Sequence, residues 1–180
     1  RVGFFSLETS ARKLADRVVA QRARVELAKI KHKRMSVQDY RGVADVGRAS
    51  NRICFDVTEA AGFGVADLRA VTLANRYDVI FIDYVQLLKA EGRERWEIVT
   101  RISMELHTMA QQLGVAVVAL SQVTPPDKRS GGKAPSKDDL RESRQLKQDA
   151  DIILLMSLEE PEDNSSARWL AIAKNKDGPL

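Results

Sequence analysis

The chain has a single cysteine, Cys54, among its 180 residues, so no internal disulfide can staple it and its stability must come from a packed core. No apolar run approaches the roughly 20 residues needed to span a bilayer. The first residues also lack the basic segment and apolar stretch of a secretory leader. These absences exclude a disulfide scaffold and a membrane-helix bundle, and they lead us to expect a cytoplasmic protein with no membrane partner. Cys54 itself sits in the strand-like run RICFDV, where a small buried hydrophobe is the expected role. Histidine is scarce too: His107 falls on a helix surface and His32 inside the basic run KIKHKR, so neither reads as a functional residue.

What the chain does contain is ordinary for a globular domain: 44% hydrophobic and 30% charged residues, with a formal net charge of +4. Its length fits one domain with a substantial core. The modest basic excess suits a polyanionic partner such as nucleic acid without demanding one.

Apolar runs of strand length alternate with helix-period segments, the pattern of parallel strands joined by crossover helices. The expected strands are residues 2–7, 52–57, 78–83, 115–120, 151–156 and 168–173. Most are continuous apolar runs, which predicts burial on both faces by helices. Helices are expected over 10–30 with Ser10 as cap, 36–50 with Ser36 as cap, 65–76, and 94–113 ending at Gly114. In the last of these, Trp96, Val99, Ile102, Leu106, Met109 and Leu113 recur at spacings that make one buried stripe. Residues 124–139, TPPDKRSGGKAPSKDD, lack any apolar period and read as a loop.

Three strand ends carry polar groups. VIFIDYVQLL places Asp83 at the end of an apolar strand, and an acid at the carboxyl rim of an open α/β sheet can serve a magnesium ion there. That makes Asp83 a candidate Walker B aspartate, although an Asp closing a strand is also a common turn or cap residue. The strand at 2–7 leads into Glu8, a candidate general base toward water or, alternatively, a first-turn helix acid. The strand at 115–120 leads into Ser121 and Gln122, whose amide could hydrogen-bond a terminal phosphate or simply face solvent.

Taken together, FFSLETS, VIFIDYVQLL, ALSQV, DLRES with QDADIILLM, and AKNKDGP resemble, in order and approximate spacing, the C-terminal motor domain of DnaB-type replicative DNA helicases. The resemblance covers nearly the whole chain. It implies an α/β fold with a RecA-like P-loop NTPase core, a mostly parallel sheet flanked by helices. It also implies ATP and Mg²⁺ as cofactors, assembly as a homo-hexamer, and movement along single-stranded DNA with duplex unwinding. Primase and a helicase loader are candidate partners on the same ground.

Residue by residue, the resemblance matches Glu8 to the catalytic glutamate, Asp83 to the Mg²⁺-serving Walker B aspartate, and Gln122 to the γ-phosphate-sensing glutamine. Arg141 and Glu142, with the adjacent Arg144, fall in the family's DNA-gripping loop. Lys174 and Lys176 match the basic pair that reaches into a neighbouring subunit's ATP site. The basic residues between 128 and 144 would supply phosphate contacts to the strand, or else form a solvated loop.

The chain departs from the pattern in three ways. It has no G-x-x-x-x-G-K-[ST] phosphate loop, and GGK at 131–133 has the wrong spacing and setting. We therefore expect residues 1–180 to be one motor domain truncated at its N-terminus, its first strand and phosphate loop lying upstream, and to be inactive alone. Lys176 stands where the family carries an arginine finger, and a point charge replaces a planar two-pronged donor. Arg144 stands where glycine is common. These departures fit a divergent member of the kind that phages or prophages encode. Two alternatives share the fold: a RadA/RecA-like recombination ATPase, and a non-catalytic RecA-like DNA-binding subunit.

Overall fold

Four parallel strands make the sheet on which the candidate chemistry is mounted. The computed structural model describes residues 1–50, 54–122, 144–158 and 167–179. Strand β1 (Val2–Ser6) is followed by helices α1 (Ala11–Ala23), α2 (Leu27–Lys31) and α3 (Val37–Ser50), then by β2 (Phe55–Glu59). Helix α4 (Val65–Asn75) leads into β3 (Val79–Asp83), a 3₁₀ turn at Val85–Leu87, α5 (Arg95–Leu113) and β4 (Ala116–Ala119). Helix α6 (Arg144–Asp149) and strands β5 (Ile152–Leu158) and β6 (Arg168–Asn175) follow.

The sheet order is β2–β1–β3–β4, with β1 and β3 at its centre. Period-two alternation sends Phe5, Ile80 and Ile82 to one face, where all three are fully buried. They pack with Val65 and Leu68 of α4 and Ile102, Leu106 and Met109 of α5. The opposite face carries a row of rings across three strands, Phe55, Phe4 and Phe81, with centroids 6.1 and 6.2 Å apart. That row is only half covered: Phe4 and Phe81 are intermediate in burial and Phe55 is exposed. The expected two-faced burial therefore holds for one face of the central strands and not for the sheet as a whole.

The second departure concerns the last two strands. They pair antiparallel with each other in a separate two-stranded sheet instead of continuing the parallel one. A parallel crossover needs about a dozen residues or more, and the chain between Leu158 and Arg168 is shorter than that. Apolar side chains on both strands, among them Met156 and Trp169, remain well exposed.

Helix ends also differ locally from expectation. The helix expected over 10–30 stops at Ala23, because Arg24 adopts a left-handed conformation (φ 55°). The Val25 N–H then donates to the Ala20 carbonyl at 3.0 Å, a closure that docks buried Val25 beneath the helix end. The same closure ends α4 through Arg76 and buried Tyr77, and α5 through Gly114. Ser36 is a reciprocal cap: its hydroxyl accepts from Asp39 N–H and Asp39 Oδ2 accepts from Ser36 N–H. Ser10 occupies the cap position of α1 but makes no side-chain cap bond, and Glu59 of β2 accepts the Ala11 N–H at 2.8 Å instead.

Two single-residue expectations fail for reasons of position. Trp96 is 58% exposed, since it lies in the first turn of α5 and borders a groove between α4 and α5 rather than the sheet. The rest of the stripe is buried or packs on the core. Cys54 is exposed, because it precedes the outer strand β2 and only its carbonyl engages the sheet, accepting from Val2 N–H at 2.9 Å. Among the described residues no helix is long and apolar enough to cross a membrane.

Tyr77 locks β1 to the end of α4. Its ring stands edge-on to Phe5 at 6.3 Å, and a Cβ on Gly3 would meet that ring at 2.6 Å. Both Tyr77 and Phe5 are buried, so the ring has no room to retreat. Gly3→Ala is accordingly expected to cost about 1–3 kcal/mol, read as a lowered denaturant midpoint with an unchanged slope; an unchanged midpoint would refute this account of the packing.

Candidate active site

Parallel pairing brings the carboxyl ends of β1, β3 and β4 to one rim. Ser6 lies opposite Asp83 in the β1–β3 register, and Ile82 lies opposite Ala119 in the β3–β4 register. One residue on, Leu7 N–H donates to the Asp83 carbonyl at 2.9 Å and Leu120 N–H to the Ile82 carbonyl at 3.0 Å. Glu8, Asp83 and the pair Ser121–Gln122 therefore leave the sheet side by side. This is the convergence that the three strand ends predicted.

Each group is held differently. Glu8 is exposed and sits in a turn tied by the buried Ser6 hydroxyl, which donates to the Thr9 carbonyl at 2.5 Å and accepts from Thr9 N–H. That turn lifts Glu8 off the end of β1 while β1 itself stays anchored. Asp83 is half-buried. Beyond it the chain passes through a cis peptide bond to Tyr84, and Val85 N–H donates to the Leu120 carbonyl at 2.9 Å. Gln122 is exposed, Ser121 is half-buried, and both are held by a residue the sequence reading passed over, Gln86. The signal for it was its amide, the one polar side chain in the apolar run VQLL, three residues past Asp83.

The donor set at the rim can be tested for its fit to magnesium. Among the described residues no cluster of three metal-ligating side chains exists. A single half-buried carboxylate at a strand end suits a Mg²⁺ ion that keeps water and takes its remaining ligands from substrate phosphates, as Mg²⁺ commonly does. Asp83 is the residue that would hold it.

The cations expected to act on a neighbour lie elsewhere. The Lys174 ammonium donates to the carbonyls of Lys147 and Gln148, at 2.8 and 3.0 Å, and so caps the end of α6. The Lys176 ammonium pairs with Asp151 at 2.9 Å. This hydrogen bond and the lysine charge hold the Asp151 carboxyl below the usual carboxylate range, and Asp151 in turn raises Lys176. Asp151 is thus a second residue that sequence reasoning missed, although it lies within the quoted QDAD run. Helix α6 is fixed to α5 by Asp149, which accepts from Ser103 at 2.6 Å and from Gln145 at 2.8 Å. Arg144 opens that helix and is exposed, whereas Arg141 and Glu142 lie outside the described residues.

The whole chain, residues 1–180, matches the model of the DnaB-like helicase C-terminal domain. It is 32% identical over 185 residues to a probable plasmid replicative DNA helicase of Chlamydia trachomatis, covering 100% of this chain and 40% of that protein. It is 29% identical to the replicative DNA helicase DnaC of Bacillus subtilis, covering 99% of this chain and 42% of the relative. The chain thus spans about two fifths of the length of the curated relatives it matches. Among solved structures, an ATPase domain superposes with a TM-score of 0.91 at 29% identity, over 99% of this chain and 68% of that one. A DnaB-like replicative helicase studied with primase gives 0.89 at 30% identity, over 99% of this chain and 46% of that one. The fold is accordingly the RecA-like α/β core expected from the motifs, and the chain belongs to the DnaB-like helicase C-terminal domain family.

Proposed function

We propose that this chain is the motor portion of an ATP-dependent replicative DNA helicase that translocates on single-stranded DNA and unwinds duplex. The observation that carries the proposal is the convergence of Glu8, Asp83 and Gln122 at one carboxyl rim, in a chain matched to the family end to end. Replicative relatives favour this reading over a recombination ATPase or a non-catalytic subunit.

In this mechanism Glu8, exposed beside the rim, orients water and takes its proton as the water attacks the terminal phosphorus, the bond to the β–γ bridging oxygen breaks and ADP leaves. Asp83 would hold a magnesium ion, which when bound would neutralise charge on the phosphates. Gln122 donates from its side-chain amide to a γ-phosphate oxygen. The mechanism also requires a phosphate loop, which residues 1–180 lack. Arg141, Glu142 and Arg144, with the basic residues before them, meet the DNA backbone.

Assembly as a homo-hexamer brings Lys174 and Lys176 to a neighbour's ATP, and primase and a loader act on the assembled ring. Within one chain both lysines are engaged, Lys174 on α6 and Lys176 on Asp151. Reaching across an interface therefore requires each to exchange its intrachain partner for phosphate. Lysine at 176 offers a point charge in that exchange, not the two-pronged donor of arginine.

One outcome tests the proposal and a second tests the intrachain pair. In the full-length protein, Glu8→Gln is expected to lower DNA-stimulated ATP hydrolysis by about 10²–10⁴-fold while binding of a fluorescent ATP analogue persists; a wild-type protein that hydrolyses no ATP under any DNA condition would sink the motor reading. The second concerns the pair that holds Lys176. Because the folded-state value of Asp151 is depressed, the pair stabilises the fold above the ordinary carboxylate value, and that contribution is lost as pH falls through the depressed one. Followed by carboxyl NMR, Asp151 should titrate below the usual range, and Lys176→Ala should return it toward normal; identical titration curves in the two proteins would show that the pair does not form in solution.

A further inference from the structure

We propose that Gln86 is a positioning residue for ATP hydrolysis, acting by fixing the backbone of Gln122 beside Asp83. The inference rests on the reading of Gln122 as the group that meets the terminal phosphate.

The hydrogen-bond ladder between β3 and β4 runs out before Gln122 is reached. Its last rungs are Leu120 N–H to the Ile82 carbonyl and Val85 N–H to the Leu120 carbonyl. After Asp83 the chain turns into the 3₁₀ segment at Val85–Leu87, so β3 offers no backbone partner to Ser121 and Gln122. The Gln86 side chain takes that place. Its Oε1 accepts from Gln122 N–H at 3.3 Å, and its Nε2 donates to the Gln122 carbonyl at 3.0 Å and to Ser121 Oγ at 2.8 Å.

A side-chain amide laid against both the N–H and the C=O of one residue imitates a strand neighbour. It fixes the peptide planes on either side of the Gln122 Cα, and with them the direction in which the Gln122 side chain leaves the backbone. Gln86 lies three residues beyond Asp83 on the same turn, so a single short segment sets the position of both the metal-serving acid and the phosphate-sensing amide. Gln86 is itself half-buried and Gln122 exposed, which places the clamp at the surface of the rim and outside the core. Its removal is therefore expected to disturb geometry far more than folding.

The test is a double-mutant cycle in the full-length protein, reading kcat and KM of DNA-stimulated ATP hydrolysis. Gln122→Ala should lower kcat by about 10²-fold, as loss of a transition-state donor does. Gln86→Met, which keeps bulk and removes all three hydrogen bonds, should lower kcat by about tenfold or more through misplacement, with KM changed by less than about threefold. Because both act through one amide, the double variant should be no slower than Gln122→Ala alone. A Gln86→Met protein with wild-type kcat, or a double variant slowed by the product of the single effects, overturns the positioning role and leaves Gln122 as read. Wild-type turnover in Gln122→Ala overturns the reading of Gln122 and the role of Gln86 with it. Should Gln86→Met not fold, Gln86→Glu, which keeps only the acceptor for Gln122 N–H, enters the same cycle with the same deciding comparison.

Discussion

The parallel pairing of β1 with β3 is the constraint on which the rest of the molecule depends. Ser6 stands opposite Asp83, and the ladder continues one step further through Leu7 N–H and the Asp83 carbonyl. With the two strands running the same way, their carboxyl ends open on one side, and Glu8 and Asp83 become neighbours although 75 positions separate them in the chain. Antiparallel pairing would have sent them to opposite edges. The register is fixed in turn by burial, because a slip of one residue would turn Phe5, Ile80 and Ile82 out of the core. A carboxylate at the end of so apolar a strand is therefore tolerable because the strand stops there. Within β3 the last fully buried side chain is Ile82, and Asp83 stands half-buried at the rim.

Much of this was legible in the sequence because burial writes itself into periodicity. Continuous apolar runs marked the strands, and the three-and-four spacing of Val99, Ile102, Leu106 and Met109 marked α5. The rim followed from polar residues placed directly after those runs. What escaped were properties that depend on neighbours instead of period. Trp96 fits the stripe by number yet precedes the point where α5 meets the sheet, and Cys54 lies just outside the outer strand. The antiparallel β5–β6 pairing was signalled only by a short connection. Gln86 was hidden for a similar reason: its partners belong to another strand's end, 35 and 36 residues away, and no local pattern announces them.

The lysines near the end of the chain show how a resemblance and a structure answer different questions. On the motif resemblance we propose Lys174 and Lys176 as cations for a neighbouring subunit. Within the chain, one caps a helix and the other neutralises Asp151. The two are compatible, because an exposed ion pair is held weakly and a triphosphate offers more negative charge than a single carboxylate. A charge already partnered in the free chain is spared the cost of waiting unpaired, and it can be drawn away by a stronger anion.

Helix α6 is only six residues long, yet it is bolted at both sides. Asp149 fastens it to Ser103 on α5, while its terminal carbonyls hold the ammonium of Lys174 on β6. The basic stretch that ends at Arg144 runs directly into its first turn. In mechanical terms α6 is a short crank: a displacement of its six residues is carried to the main core through the Asp149–Ser103 bond and to the lysine-bearing strand through Lys174.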